Sequence, residues 1–173
     1  MTLTTWIILA VISLMFSALF SGTEIAYITA DRVRMELDSK RGGMLNHFVQ
    51  RFFSNPDLFI STILVGNNIM LVIYGMGAAE LIEKHWLEQY HLNQALLLII
   101  STLISTGVIL LTGEFFPKSI FRINPNLSLK VFALPVMIFY ILLYPIAIFT
   151  TWLSKVLMKL CGIKTAASRM GML

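Results

Sequence analysis

Residues 3–30 read LTTWIILAVISLMFSALFSGTEIAYITA and carry one charge, Glu24. A helix that crosses a bilayer needs about 20 predominantly apolar residues, so this run is long enough to cross with a tilt. Two similar runs follow. One covers 56–79, with Pro56 placed as a first helical residue and Asn55 as its cap. The other covers 94–116 and ends at Pro117. No ten-residue segment alternates in the manner of a barrel strand. Only helices and closed barrels satisfy their backbone groups in lipid. The fold class expected is therefore an all-α membrane protein.

Composition agrees. Of 173 residues, 57% are hydrophobic and 13% charged, with a mean hydropathy of +0.81; a soluble domain carries about 25% charged residues. The net charge of +4 does not point to nucleic acid, because the basic residues flank the apolar runs. A single cysteine, Cys161, excludes an internal disulfide. His47, His85 and His91 stand in the charged connections at no metal-ligand spacing and read as solvated residues. The segment MTLTTWIILA has no basic residue and so lacks the first region of a signal peptide; it reads as the start of an uncleaved span.

The connections set the direction of the spans. Residues 31–55, DRVRMELDSKRGGMLNHFVQRFFSN, mix charges with Val33, Leu37, Leu45 and Phe48, the pattern of an amphipathic segment at the interface, interrupted by Gly42 and Gly43. Residues 31–51 hold Arg32, Arg34, Lys40, Arg41 and Arg51, whereas the link ELIEKHWLEQYHLN at 80–93 holds only Lys84. Basic residues favour the cytoplasmic side, which predicts the N-terminus outside and the C-terminus cytoplasmic. Residues 131–153 are the ambiguous stretch. Arg122 and Lys130 precede it, Lys155, Lys159, Lys164 and Arg169 follow it, and Pro135 and Pro145 interrupt it. The charges favour three transmembrane helices plus a proline-broken juxtamembrane or re-entrant helical hairpin; a plain fourth crossing is the other reading.

A carboxylate inside hydrocarbon costs roughly 2.5–3.5 kcal/mol on insertion scales, so ionisable groups there mark function. Glu24 and Glu114 sit inside apolar runs, and Asn67 and Asn68 sit midway along the second. Ser13, Ser17, Ser21 and Glu24 recur at spacings of four, four and three, one face of a helix. For Ser13 and Ser17 a packing role is favoured, since small residues let membrane helices approach; for Ser21 and Glu24 a binding role is favoured. Asn67 and Asn68 point about 100° apart, so one binds and the other holds a neighbour, in an order the spacing does not decide. On the third run Thr112, Gly113 and Glu114 lead into Pro117, which lacks an N–H and clashes with the carbonyl of Gly113. The backbone there is expected to loosen, in the manner of the broken helices at which transporters bind ions. Lys118 follows at the cytoplasmic end. The donors available are all hard oxygens, without a membrane-embedded Cys or His. That argues against zinc or copper and suits Mg2+, Ca2+ or Na+. No Ser/His pair or His-x-x-x-His is present, which argues against an intramembrane enzyme.

Three segments together, FSGTEIA at 20–26, NPDLFISTILVGNNI at 55–69 and GEFFPKSI at 113–120, resemble the DUF21 transmembrane domain of the CNNM/CorC family. The resemblance implies a domain over 1–162, with 163–173 opening a linker to a CBS-like cytoplasmic region that lies outside this sequence. It implies a Mg2+ transporter of the cell membrane, with Na+-driven export, three membrane helices, a juxtamembrane belt and a homodimer. Its ion site falls on Ser21 and one of Asn67 and Asn68 as side-chain ligands. Gly113 and Gly22 offer carbonyls, Glu114 is a ligand or a balancing charge, and Glu24 binds Na+ or holds the site. Pro117 is the structural break and Lys118 the anchor. Phe16, Phe20, Met70 and Met76 face either the second subunit or lipid. The other class of function these residues fit is a Mg2+-sensing membrane scaffold that regulates a separate transporter.

Overall fold

The computed structural model describes residues 2–40, 42–82 and 93–161. All regular structure among them is helical. Helices α1 (Leu3–Thr29), α4 (Pro56–Ile82) and α8 (Ala133–Leu160) are long and single; α5 (Gln94–Ile109) passes through a π-helical turn (Leu110–Phe115) into α6 (Phe116–Ile123). Short helices α2 (Arg32–Lys40), α3 (Met44–Ser54) and α7 (Pro125–Val131) fill the connections. Four segments, Leu3–Thr29, Pro56–Ile82, Gln94–Ile123 and Ala133–Leu160, are long and apolar enough to cross a membrane.

Local sequence explains most boundaries. Gly42 and Gly43 take φ of 79° and 105°, the left-handed region that glycine enters without a side-chain clash, and they separate α2 from α3. Asn93 caps α5 by accepting from the Ala95 N–H. Pro56 opens α4, and the first turn closes through the Phe59 N–H and the Asn55 carbonyl. The amphipathic segment is present as α2 and α3: Val49 and Phe52 are buried, and Arg32 lies over the Phe53 ring at 5.6 Å.

The packing centres on α1. It runs against α4 along its length and also meets α6, α7 and the π turn, while α5 packs chiefly on α4. An aromatic core at the α2–α3 end joins Phe20, Tyr27, Phe52, Phe59 and Tyr140. A smaller cluster of Ala10, Tyr74, Ala78 and Ile109 joins the other halves of α1, α4 and α5. Phe16 and Phe20 both pack edge-on against Phe139, and Phe20 is fully buried. Phe20 therefore belongs to the interior of the chain, while Phe16 is half-buried; of the other two residues offered to a second subunit or to lipid, Met76 is exposed and Met70 half-buried.

Two expectations are corrected. The third span does not end at Pro117; the chain stays helical to Ile123 because Pro117 falls at the start of α6, where a missing N–H is tolerated. The proline-broken hairpin over 131–153 does not form: α8 is one uninterrupted helix. Pro135 is its third residue, where the N–H has no intrahelical partner in any case. Pro145 removes one interior bond, and the remaining ones persist because an apolar surrounding leaves backbone groups no alternative partner.

The course of α8 is oblique to α4. Tyr140 meets the Phe59 ring, and Thr151 donates to Ser61 Oγ at 3.1 Å. Eleven residues, about 16 Å of α8, thus map onto two residues, about 3 Å of α4. Lys155 then comes beside Ser54, Asn55 and Asp57, at the α3–α4 corner.

Residues 163–173 of the expected linker, His85, His91 and Arg41 lie outside the described residues. His47 is exposed on α3.

Candidate cation site

The stripe on α1 is real, and each member meets a different partner. Ser13 Oγ turns back onto its own helix, donating to the Leu9 and Ala10 carbonyls. Ser17 Oγ donates to Asn67 Oδ1 of α4 at 2.8 Å. Ser21 Oγ is fully buried and has no hydrogen-bond partner. Glu24 reaches Lys118 of α6, carboxylate to ammonium at 3.6 Å. Thr23 Oγ1 and Tyr140 OH are also buried without partners, off this stripe.

The third helix closes on the same place through its distorted turn. Pro117 cannot donate, so the Gly113 carbonyl loses its α-helical partner. The register widens over Leu110–Phe115, where the Phe116 N–H bonds the Leu111 carbonyl. Gly113 is buried there and close to α1: a Cβ on it would stand 3.3 Å from Ser17 Oγ and 3.2 Å from Ile109. Glu114, next along, is half-buried and has no hydrogen-bond or ion-pair partner among the described residues. π turns of this kind aim backbone and side chains away from the regular helix and recur at functional sites.

The structure separates the two amides of α4. Asn67 faces α1, whereas Asn68 is exposed on the outer face. Gly22 serves close packing, since a Cβ on it would stand 2.7 Å from the Phe121 ring of α6. Ser17, which spacing alone assigns to packing, is the serine bonded to Asn67. The signal was there in the helix midpoints: Ser17 and Asn67 lie near the centres of two antiparallel helices of 27 residues each. Ser17, Asn67 and Gly113 thus meet between α1, α4 and the π turn, with Ser21 one turn further along α1, Glu114 next to Gly113 in the π turn, and Glu24 and Lys118 further toward the α2–α3 end. Among the described residues no three His, Cys, Asp or Glu side chains converge. A cation held here would rest mainly on neutral oxygens.

An all-helical membrane domain with an oxygen-donor cluster beside a broken helix is the class these features define. The chain belongs to the CNNM family: the model of its cyclin M transmembrane N-terminal domain matches residues 8–170. The UPF0053 inner membrane protein YfjD of Escherichia coli is 28% identical over 149 residues, covering 86% of this chain and 33% of that protein. A UPF0053 protein of Haemophilus influenzae is 28% identical over 166 residues, covering 94% of this chain and 37% of its own length. The UPF0053 protein MG146 homolog of Mycoplasma pneumoniae is 33% identical over 142 residues, 81% of this chain and 32% of that protein. The chain therefore spans about a third of the length of these curated relatives.

Proposed function

We propose that this chain is the membrane domain of a Mg2+ transporter, moving Mg2+ outward at the expense of Na+ around the cluster of Ser17, Ser21, Asn67, Gly113 and Glu114. The observation that carries the reading is the 2.8 Å separation of Ser17 Oγ and Asn67 Oδ1. Mg2+ binds oxygens at about 2.0–2.1 Å in octahedral geometry, which sets adjacent ligands about 2.9 Å apart. The two oxygens stand at ordinary hydrogen-bond distance, a spacing that one edge of that octahedron also accepts once the serine hydroxyl rotates away. Gly113 supplies a carbonyl without an α-helical donor, Ser21 an unpartnered hydroxyl, and Glu114 an unpaired charge.

The same reading places the N-terminus outside and the C-terminus in the cytoplasm. It is supported by Arg32, Arg34, Lys40, Arg51, Arg122 and Lys130, which all lie in or beside the short helices at one end of α1. In it α8 lies along the membrane face as part of a belt, since its Lys155 end returns to the α3–α4 corner. The functional unit is a homodimer; the exposed Asn68 and Thr106 on α4 and α5 support it, because amides and hydroxyls on membrane helices seek partners on a neighbouring helix.

The test is a Mg2+ titration of the purified chain in detergent, read as thermal stability, for the wild type, Asn67→Ala and Asn68→Ala. Binding to the folded state alone raises stability with ligand concentration. Wild type and Asn68→Ala should be stabilised, and Asn67→Ala should not. A response lost equally in both variants, or present in all three, refutes the assigned cluster. Flux of Mg2+ from proteoliposomes along an imposed Na+ gradient then separates transport from sensing: binding without flux identifies the scaffold instead.

A further inference from the structure

We propose that the cavity at the α3–α4 corner binds the headgroup of a zwitterionic phosphoethanolamine lipid. The cavity has a volume of about 370 Å³ and lies between the start of α4 and the second half of α8, a size within the ordinary range for small-molecule sites. Asp57 lines it from α4 and Lys155 from α8. Among the described residues neither side chain makes an ion pair or a hydrogen bond, with the other or with a third group. Two opposite charges thus share one cavity without closing on each other. Thr151, one turn before Lys155, donates to Ser61 Oγ at 3.1 Å and holds α8 to α4 beside the cavity. The corner stands at the end of a membrane-length helix and next to the amphipathic α3, which puts it at headgroup depth. Exposed Trp152 and Ile148 and half-buried Leu58 complete the lining, and tryptophan favours that same depth.

The two charges select the ligand. A phosphodiester beside the Lys155 ammonium gains a charge-assisted hydrogen bond. A purely anionic headgroup offers Asp57 nothing and is repelled by it. A headgroup with an ammonium two carbons from its phosphate meets both charges at once. A primary ammonium also carries three N–H donors. These can bond the Asp57 carboxylate and the lone pairs of Ser54 Oγ, whose own proton goes to the Gln50 carbonyl. A trimethylated ammonium has the charge without the donors. The cavity therefore ranks phosphoethanolamine above phosphocholine and phosphoglycerol lipids. Asp57 is ten residues, about 15 Å along α4, from Asn67, so the inference is independent of the cation cluster.

The experiment is thermal stabilisation of the purified chain in detergent by short-chain lipids of these three headgroups, each titrated over the same concentration range. In the wild type the phosphoethanolamine lipid should reach half-maximal stabilisation at a concentration roughly two- to five-fold below the phosphocholine lipid, the scale a partly exposed charge contact commands. Asp57→Ala should bring those two midpoints together. Lys155→Gln should raise both, because each lipid loses its phosphate contact. Equal midpoints in the wild type, or a preference that survives Asp57→Ala in full, overturn the inference. Tighter binding of the phosphoglycerol lipid overturns it too, since Lys155 would then act alone, and so does a wild type that responds to none of the three. If Asp57→Ala does not fold, Lys155→Gln decides: an unchanged phosphoethanolamine midpoint refutes the site.

Discussion

At the middle of α4, Asn67 accepts a hydrogen bond from Ser17 while Asn68, the next residue, is exposed on the outer face. The sequence shows that two consecutive amides cannot share a site, but α4 is apolar all round, so no amphipathic stripe says which amide turns inward. Glycines at this scale divide in the same way. Gly22 faces the Phe121 ring at 2.7 Å, and Gly75 faces open space. Gly22→Ala should destabilise the chain by about 1–3 kcal/mol through overpacking. Gly75→Ala should be neutral or stabilising by up to about 1 kcal/mol, since alanine is the better helix former. Unfolding in detergent followed by circular dichroism checks both, and equal effects would show that the α1–α6 contact is not as tight as described.

Pro117 acts on a whole element. Its missing N–H and the bulk of its ring are met by a π turn over Leu110–Phe115, and that turn puts Gly113 against Ser17. Restoring the donor should let the segment relax to a regular α-helix and rotate Gly113 and Glu114 away from α1. Pro117→Ala is therefore expected to hold or raise the melting temperature while abolishing the Mg2+ response. Retention of a full response would mean that the turn is not what builds the site. The proline was legible in the sequence as a break, and the loosened backbone it predicts is found. The continuation to Ile123 was not legible, because a proline in the first turn of a new helix and a proline that ends an old one look alike without the neighbours that hold them. Pro135 and Pro145 carry the same lesson in α8, which stays whole despite both.

On the scale of the whole molecule, the open question in the charges was how α8 lies. Its steep crossing of α4, with Thr151 on Ser61 and Lys155 near Asp57, supports a helix along the membrane face. Spin labels at Leu142 and Leu157, both exposed, should report similar shallow depths in vesicles, and a label at Leu64 on α4 a deeper one. A depth profile across α8 that peaks in the bilayer centre would instead establish a fourth crossing and move the C-terminus outside.

Taken alone, the sequence determined the medium and the helical class. Long apolar runs, the carboxylates Glu24 and Glu114 within two of them and the absence of Cys or His from those runs are properties of composition and spacing, and no neighbour can change them. It also placed the short amphipathic helices, because Gly42 and Gly43 and the charge pattern act locally. The tertiary structure alone decided that Ser17 rather than Ser13 hydrogen-bonds to α4, that Asn67 rather than Asn68 faces α1, that Glu24 pairs with Lys118, and that α8 is unbroken. Each of those depends on the rotation of one apolar helix against another. Where every face of a helix is apolar, hydrophobicity favours no rotation, and the choice falls to close packing of glycine against aromatic rings and to the few polar groups that must find partners.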